Sequence, residues 1–147
     1  MMEVKILTPE DVDSVLNFEK SKLTQTDDFE REMASWHARW RKEALEYYLP
    51  LGWSFCKRDK GQIVAYILCQ PLLFFEGWRQ SLWIEHVSAQ NPEDAREMIE
   101  IAYRWARDKH LQKVFFNTQL EFIKEANVAQ IHEPIELGSF SSTKLGT

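Results

Sequence analysis

Glycine is scarce in this chain, with five residues in 147. None of the five builds a G-x-G-x-x-G turn, a Walker phosphate loop or a G-x-S-x-G nucleophile elbow. The backbone cradles that these motifs offer to nucleotides and acyl groups are therefore missing. Cysteine occurs twice, neither C-x-x-C nor H-E-x-x-H is present, and the four histidines, at 37, 86, 110 and 132, keep no metal-ligand spacing. No metal is expected. No apolar stretch approaches the ~20 residues that cross a bilayer, and the start Met1-Met2-Glu3-Val4-Lys5 lacks a basic region followed by an apolar one. The expectations are a cytoplasmic protein and no membrane partner. Basic residues are outnumbered, 18 Lys and Arg against 23 Asp and Glu, for a net charge of −5. Without a basic patch, nucleic acid is not an expected partner.

What the chain does have is apolar text, 44% of its residues. A chain of this length buries roughly 70% of its unfolded surface, enough for a core without disulfide or metal staples. No repeat, low-complexity tract or linker divides it, so residues 1–147 read as a single domain. Cys56 and Cys69 lie in strand-like segments. A turn at Arg58-Asp59-Lys60-Gly61 sets Cys69 opposite position 51, about 17 Å along the strand from Cys56. That is outside disulfide reach, and both read as buried thiols.

Val4 to Leu7 reads as a strand, and Thr8-Pro9-Glu10-Asp11 as a helix start with cap, proline and acidic first turn. A helix with Val12, Val15, Leu16 and Leu23 follows. Asp27-Asp28 opens a second, longer helix that keeps Phe29, Met33, Trp36, Trp40, Ala44 and Tyr47 at spacings of three or four until Pro50-Leu51-Gly52 stops it. Trp53 to Arg58 and Gln62 to Gln70 are strands around the Asp-Lys-Gly turn, the second apolar on both faces and hence central. After a turn at 76–80, Ser81 to Ser88 is the fourth strand. Asn91-Pro92-Glu93-Asp94 repeats the helix-start grammar, and Ala95, Met98, Ile99, Ala102 and Ala106 form a buried stripe ending near His110. Val114 to Phe116 is a fifth strand, and Phe122 to Gln130 suggests a short helix ended by Pro134.

The order strand, helix, helix, three strands, helix, strand, helix resembles the GNAT superfamily of acyl-CoA-dependent N-acyltransferases, most clearly from Gln62 to Phe116. The resemblance implies an α/β fold with a mixed, mostly antiparallel sheet flanked by helices on both faces. It also implies acetyl transfer from acetyl-CoA as co-substrate to the amine of a small molecule or peptide. In that family the cofactor pyrophosphate sits at the start of the helix after the fourth strand, in a Gln/Arg-x-x-Gly-x-Gly/Ala loop, on backbone N–H groups and the positive helix end. Here Gln90 takes the first position and Ala95 the last, with Arg96 beside it. Glu93 replaces the intervening glycine, and Pro92 removes one N–H donor. At an effective dielectric of about 20, like charges 4 Å apart repel by roughly 4 kcal/mol, so Glu93 opposes a pyrophosphate. As partners of the helix dipole, the same acids are worth ~0.3–1 kcal/mol each.

The family holds the pantetheine arm by main-chain hydrogen bonds to the fourth strand, which here includes Val87. Its distal Asn corresponds to Asn127, and its closing Gly-Phe pair to Gly138 and Phe140 with Ser139 between them. No tyrosine follows Tyr103 to protonate the departing thiolate. For the base, the family often uses a Glu of the fourth strand, and Glu85 stands there. Strict alternation puts Glu85 on the face of Trp83 and Val87, and His86 on that of Leu82 and Ile84. Trp36, His37, Arg39, Trp40 and Arg41 form an aromatic and basic cluster. Its two readings are an acceptor site, or two rings packed on the sheet with solvated arginines. The altered loop and missing tyrosine leave a rival function, a catalytically silent GNAT-fold binding or interaction module. A homodimer is the assembly left open.

Overall fold

The described strands and helices, up to the fifth strand, follow the predicted order with one break, in a computed structural model that describes residues 2–23, 28–36, 38–75, 78–111 and 113–116. Strand β1 (Met2–Ile6) leads to a 3-10 turn at Pro9–Asp11, where the Thr8 amide donates to Asp11 Oδ2 at 2.9 Å, and on to α1 (Val12–Ser21). Arg58 ties this start to the sheet through Asp11 Oδ1 at 2.8 Å.

The predicted long second helix is corrected to two. Helix α2 (Asp28–Ser35) ends before Trp36, and α3 (Lys42–Tyr48) begins after Arg41, which takes the extended conformation of an N-cap. Ser35, Trp36 and His37 are indifferent helix formers, so tertiary packing decides there. The break turns Trp40 into the core at 7% exposure and leaves Phe29, Met33, Trp36 and Tyr47 exposed. Of the predicted stripe, only Trp40 and Ala44 are buried.

Strands β2 (Phe55–Asp59) and β3 (Gln62–Phe75) form a hairpin with Asp59 opposite Gln62. Lys60 and Gly61 occupy the two-residue turn with φ of 54° and 80°. Positive φ at both positions matches the twist of the paired strands. The turn lies one residue later than the sequence suggested, and a register shift at Lys57/Arg58 moves the pairing again. Cys56 accordingly faces Tyr66, while Cys69 faces Ile84 of β4 (Trp78–Ala89). Both cysteines are buried and free, as expected.

Helix α4 (Pro92–Asp108) crosses back to β5 (Lys113–Phe116), which pairs with β4 in parallel. The sheet order is β1-β2-β3-β4-β5, antiparallel except at that last pair. Helices cover both faces. Ala95, Met98, Ile99, Ala102 and Ala106 of α4 pack on Phe55, Ala65, Ile67, Cys69, Leu82, Ile84 and Val87. On the other face Val15 and Phe18 of α1, Trp40, and Leu45 and Tyr48 of α3 cover Cys56, Ile63, Tyr66 and Leu68. Each large apolar side chain so buried stabilises the fold by about 1.5–3 kcal/mol. No helix among the described residues is long and apolar enough to cross a membrane.

Candidate active site

Strand β4 carries a β-bulge. Leu68 of β3 pairs with His86, but the next residue, Cys69, pairs with Ile84, so Glu85 is the extra residue. A bulge re-aims the side chains that follow it. Leu82 and Ile84 face α4 before it, and Val87 and Ala89 face α4 after it. Glu85 and His86 consequently both turn toward the α1–α3 face, Glu85 to Tyr48 and Arg39, and His86 to Glu19. This corrects the alternation, which separated the two and grouped Glu85 with Val87. Only the pairing of Glu85 with Trp83 stands.

Glu85 is half-buried at the end of a hydrogen-bonded chain. Trp83 Nε1 donates to Glu85 Oε1 at 2.9 Å, and the Tyr48 hydroxyl donates to the same oxygen at 3.4 Å. Arg39 Nη1 lies 3.6 Å from Oε2. Behind them, Gln70 Nε2 donates to the Tyr48 oxygen at 3.5 Å, and Gln70 Oε1 accepts from the Tyr47 hydroxyl at 2.7 Å. Burial, and then the Glu85 carboxylate, push the Tyr48 phenol well above its ordinary range. It therefore stays a donor toward Glu85. Arg39, read from sequence as solvated or as part of an acceptor site with both tryptophans, faces Glu85 from the turn between α2 and α3 and keeps 39% of its side chain exposed. Trp36 stays outside at 54% exposure.

A second polar group lies beneath α1. Glu19 is 6% exposed; it accepts from the Ser88 hydroxyl, sits 3.6 Å from Lys22 Nζ, and lies 3.9 Å from His86 Nε2. Lys22 also donates to Ser88 Oγ at 2.6 Å. Burial pushes the Glu19 carboxyl up, but His86, Ser88 and Lys22 together bring it below its ordinary value. The ring of His86 lies against fully buried Tyr66, centroids 5.8 Å apart. Burial, reinforced by Glu19, raises the Tyr66 phenol. Glu19 escaped the sequence reading because it stands in ordinary surface-helix text. Its only mark is a place on the apolar stripe of α1, one helical turn after Val15 and Leu16.

The other predicted residues fall along the outer edge of β4 and the start of α4. Among the described residues the β4–β5 ladder runs from Ser81↔Lys113 to Ile84↔Phe116. Among the described residues, the outer edge of 85–89 has no strand beside it. Val87 is 3% exposed with its side chain in the α4-side core, so only its main chain faces that edge. Gln90 is exposed, its amide given to Val64 O at 3.0 Å. Ala95 is fully buried and its amide bonds Asn91 O at 3.3 Å, so it seats the helix on the sheet. Arg96 is exposed. Asn127 lies outside the described residues, as do Gly138, Phe140 and the predicted last helix.

The first turn of α4 has few free donors. Asn91 Oδ1 takes the Asp94 amide at 2.9 Å, and Pro92 has none, which leaves the amides of Asn91 and Glu93. The two acids behave differently. Asp94 is buried and held by Lys57 Nζ at 2.7 Å, which also reaches Glu97 at 2.6 Å. Those bonds, to Asp94 first and Glu97 second, raise the Lys57 ammonium above its ordinary value. Glu93 points to solvent. One acid thus welds α4 to β2, and the other carries the charge an incoming anion meets.

No family model matches the sequence, and no curated protein matches it. Solved structures match its fold. A Thermus thermophilus protein superposes with a TM-score of 0.64 at 17% identity, covering 99% of this chain and 98% of that one. A ribosomal-protein-alanine N-acetyltransferase from Brucella melitensis biovar Abortus gives 0.62 at 13% identity over 96% and 100%. A predicted acetyltransferase from Clostridium acetobutylicum, solved with acetyl-CoA, gives 0.59 at 12% over 94% and 96%.

Proposed function

Starting from the GNAT fold that the chain adopts, we propose that it transfers an acetyl group from acetyl-CoA to the amine of a small molecule or peptide. The observation that carries this reading is the bulge. It turns Glu85 toward the helical face, beside Trp83, Tyr48 and Arg39. The amine nitrogen forms the new bond to the acetyl carbon as the thioester C–S bond breaks. Glu85 first accepts one proton of the ammonium, and the second proton that the nitrogen sheds as the amide forms passes through water to the departing thiolate. Arg39, Trp83 and Tyr48 hold the carboxylate in place.

The residues present fit the pantetheine arm better than the pyrophosphate. The edge at 85–89, Val87 included, has no strand beside it among the described residues, and there offers main-chain donors and acceptors to an extended chain. At the α4 start, Arg96 supplies positive charge and Gln90 a side-chain amide, against the negative charge of Glu93. Asn127 is the remaining proposed contact. The Brucella and Clostridium neighbours support acetyl-CoA as donor and an amine as acceptor. Titration calorimetry with acetyl-CoA, followed by acetyl transfer to a panel of primary amines, tests the reading. Binding together with turnover is expected. No heat at millimolar acetyl-CoA would leave the interaction module in its place.

A further inference from the structure

We propose that the chain forms a two-fold dimer by pairing β1 with β1 of a second copy, antiparallel and centred on Val4. Among the described residues the strand is at the edge of the sheet. Its hydrogen-bonding direction is set by Leu7, whose amide donates to Ser54 O at 2.8 Å across the β1–β2 ladder. Alternation then points the main-chain N–H and C=O of Glu3 and Lys5 at β2, and those of Met2, Val4 and Ile6 at the open edge. All five residues are exposed. The apolar side chains Met2, Val4 and Ile6, at 55%, 41% and 44% exposure, share the face that carries α4, since Val4 lies opposite Lys57 and Ile6 opposite Phe55. An open edge with a row of exposed apolar side chains is a template for another strand.

Charge selects both the occupant and the register. Glu3 and Lys5 project from the other face, and Lys5 Nζ lies 3.0 Å from Glu3 Oε1. When two copies pair around Val4, Val4 meets Val4 and Met2 meets Ile6, each pair exchanging main-chain hydrogen bonds. Each Glu3 then faces the other copy's Lys5 in a non-hydrogen-bonded pair, where side chains approach most closely. Sliding the copies one step either way that keeps outward amides opposed brings Glu3 against Glu3 or Lys5 against Lys5, which is repulsive. The strand is thus self-complementary, as an isologous interface requires. The pairing would join the two sheets into one and cover both apolar rows. It is independent of the catalytic reading.

Sedimentation and light scattering on the full chain, with circular dichroism to confirm folding, test this. The wild type is expected at twice the monomer mass. Val4→Pro removes only an outward amide and should give a folded monomer. Lys5→Glu and Glu3→Lys should each be monomeric alone. Mixing these two variants, or combining both substitutions in one chain, should restore the dimer. A monomeric wild type, a dimer that survives Val4→Pro, or single charge variants that still associate would overturn the proposal.

Discussion

The indole N–H of Trp83 reaches Glu85 Oε1 at 2.9 Å from two residues back along the same strand. This bond spans the bulge and fixes the direction of the carboxylate before any substrate arrives. The role assigned to Glu85 is therefore testable apart from its shape. Glu85→Gln keeps an oxygen for the indole and loses the proton acceptor. Turnover of an accepted amine should fall about a hundredfold or more with KM for acetyl-CoA little changed. Steady-state kinetics on both substrates measures it; an unchanged kcat would remove Glu85 from the mechanism.

Glu93→Gly deletes the one outward-facing acid of the α4 start and returns the residue that the resembled loop carries. Acetyl-CoA should bind about tenfold more tightly, or ~1.4 kcal/mol, well inside the repulsion expected of two close charges. Calorimetry on both proteins decides. Equal affinities would place the pyrophosphate away from Glu93.

The Glu19 cluster predicts an acid-labile link. Because the folded carboxyl titrates below its ordinary 4.5, its contribution to stability is complete above that pH and is lost as pH falls through the lower folded value. Glu19→Gln should lower the melting temperature at neutral pH. The gap from wild type should then close as the solution is acidified below 4.5. A gap that stays constant with pH would mean the glutamate acts by shape alone.

Met98 is fully buried at the centre of the α4 stripe. Met98→Ala should cost about 2–5 kcal/mol by chemical denaturation, the usual range for a core cavity left by a large side chain. A loss under about 1 kcal/mol would mean that the site collapses around the gap.

Helix α4 was legible because two local signals agree there, the Asn91-Pro92 start and a stripe at spacings of three and four. Those signals act within a turn or two of chain and need no knowledge of what lies across the core. The bulge at Glu85 has no such mark, since an extra residue is defined by the strand opposite it. Reading Trp83 to Ser88 alone therefore reverses every side chain after the bulge. The split of the predicted second helix was hidden for a related reason. Its apolar spacing continues through Trp36 and Trp40, and only the burial of Trp40 shows that the chain turns between them. Glu85 was read from its place on the fourth strand and Arg39 from the aromatic and basic cluster, whereas their contact with each other, and those of Tyr48 and Glu19, are concealed by sequence distance.

The two cysteines lie on opposite faces of one sheet, Cys56 under α1 and α3 and Cys69 under α4. Burial raises both thiols, so each reacts slowly until its own covering layer lifts. Single-cysteine variants therefore give two independent clocks for local opening, one for the helices that carry the polar cluster and one for α4. Labelling rates measured with and without acetyl-CoA would show which layer breathes on its own and which opens only when the whole domain does.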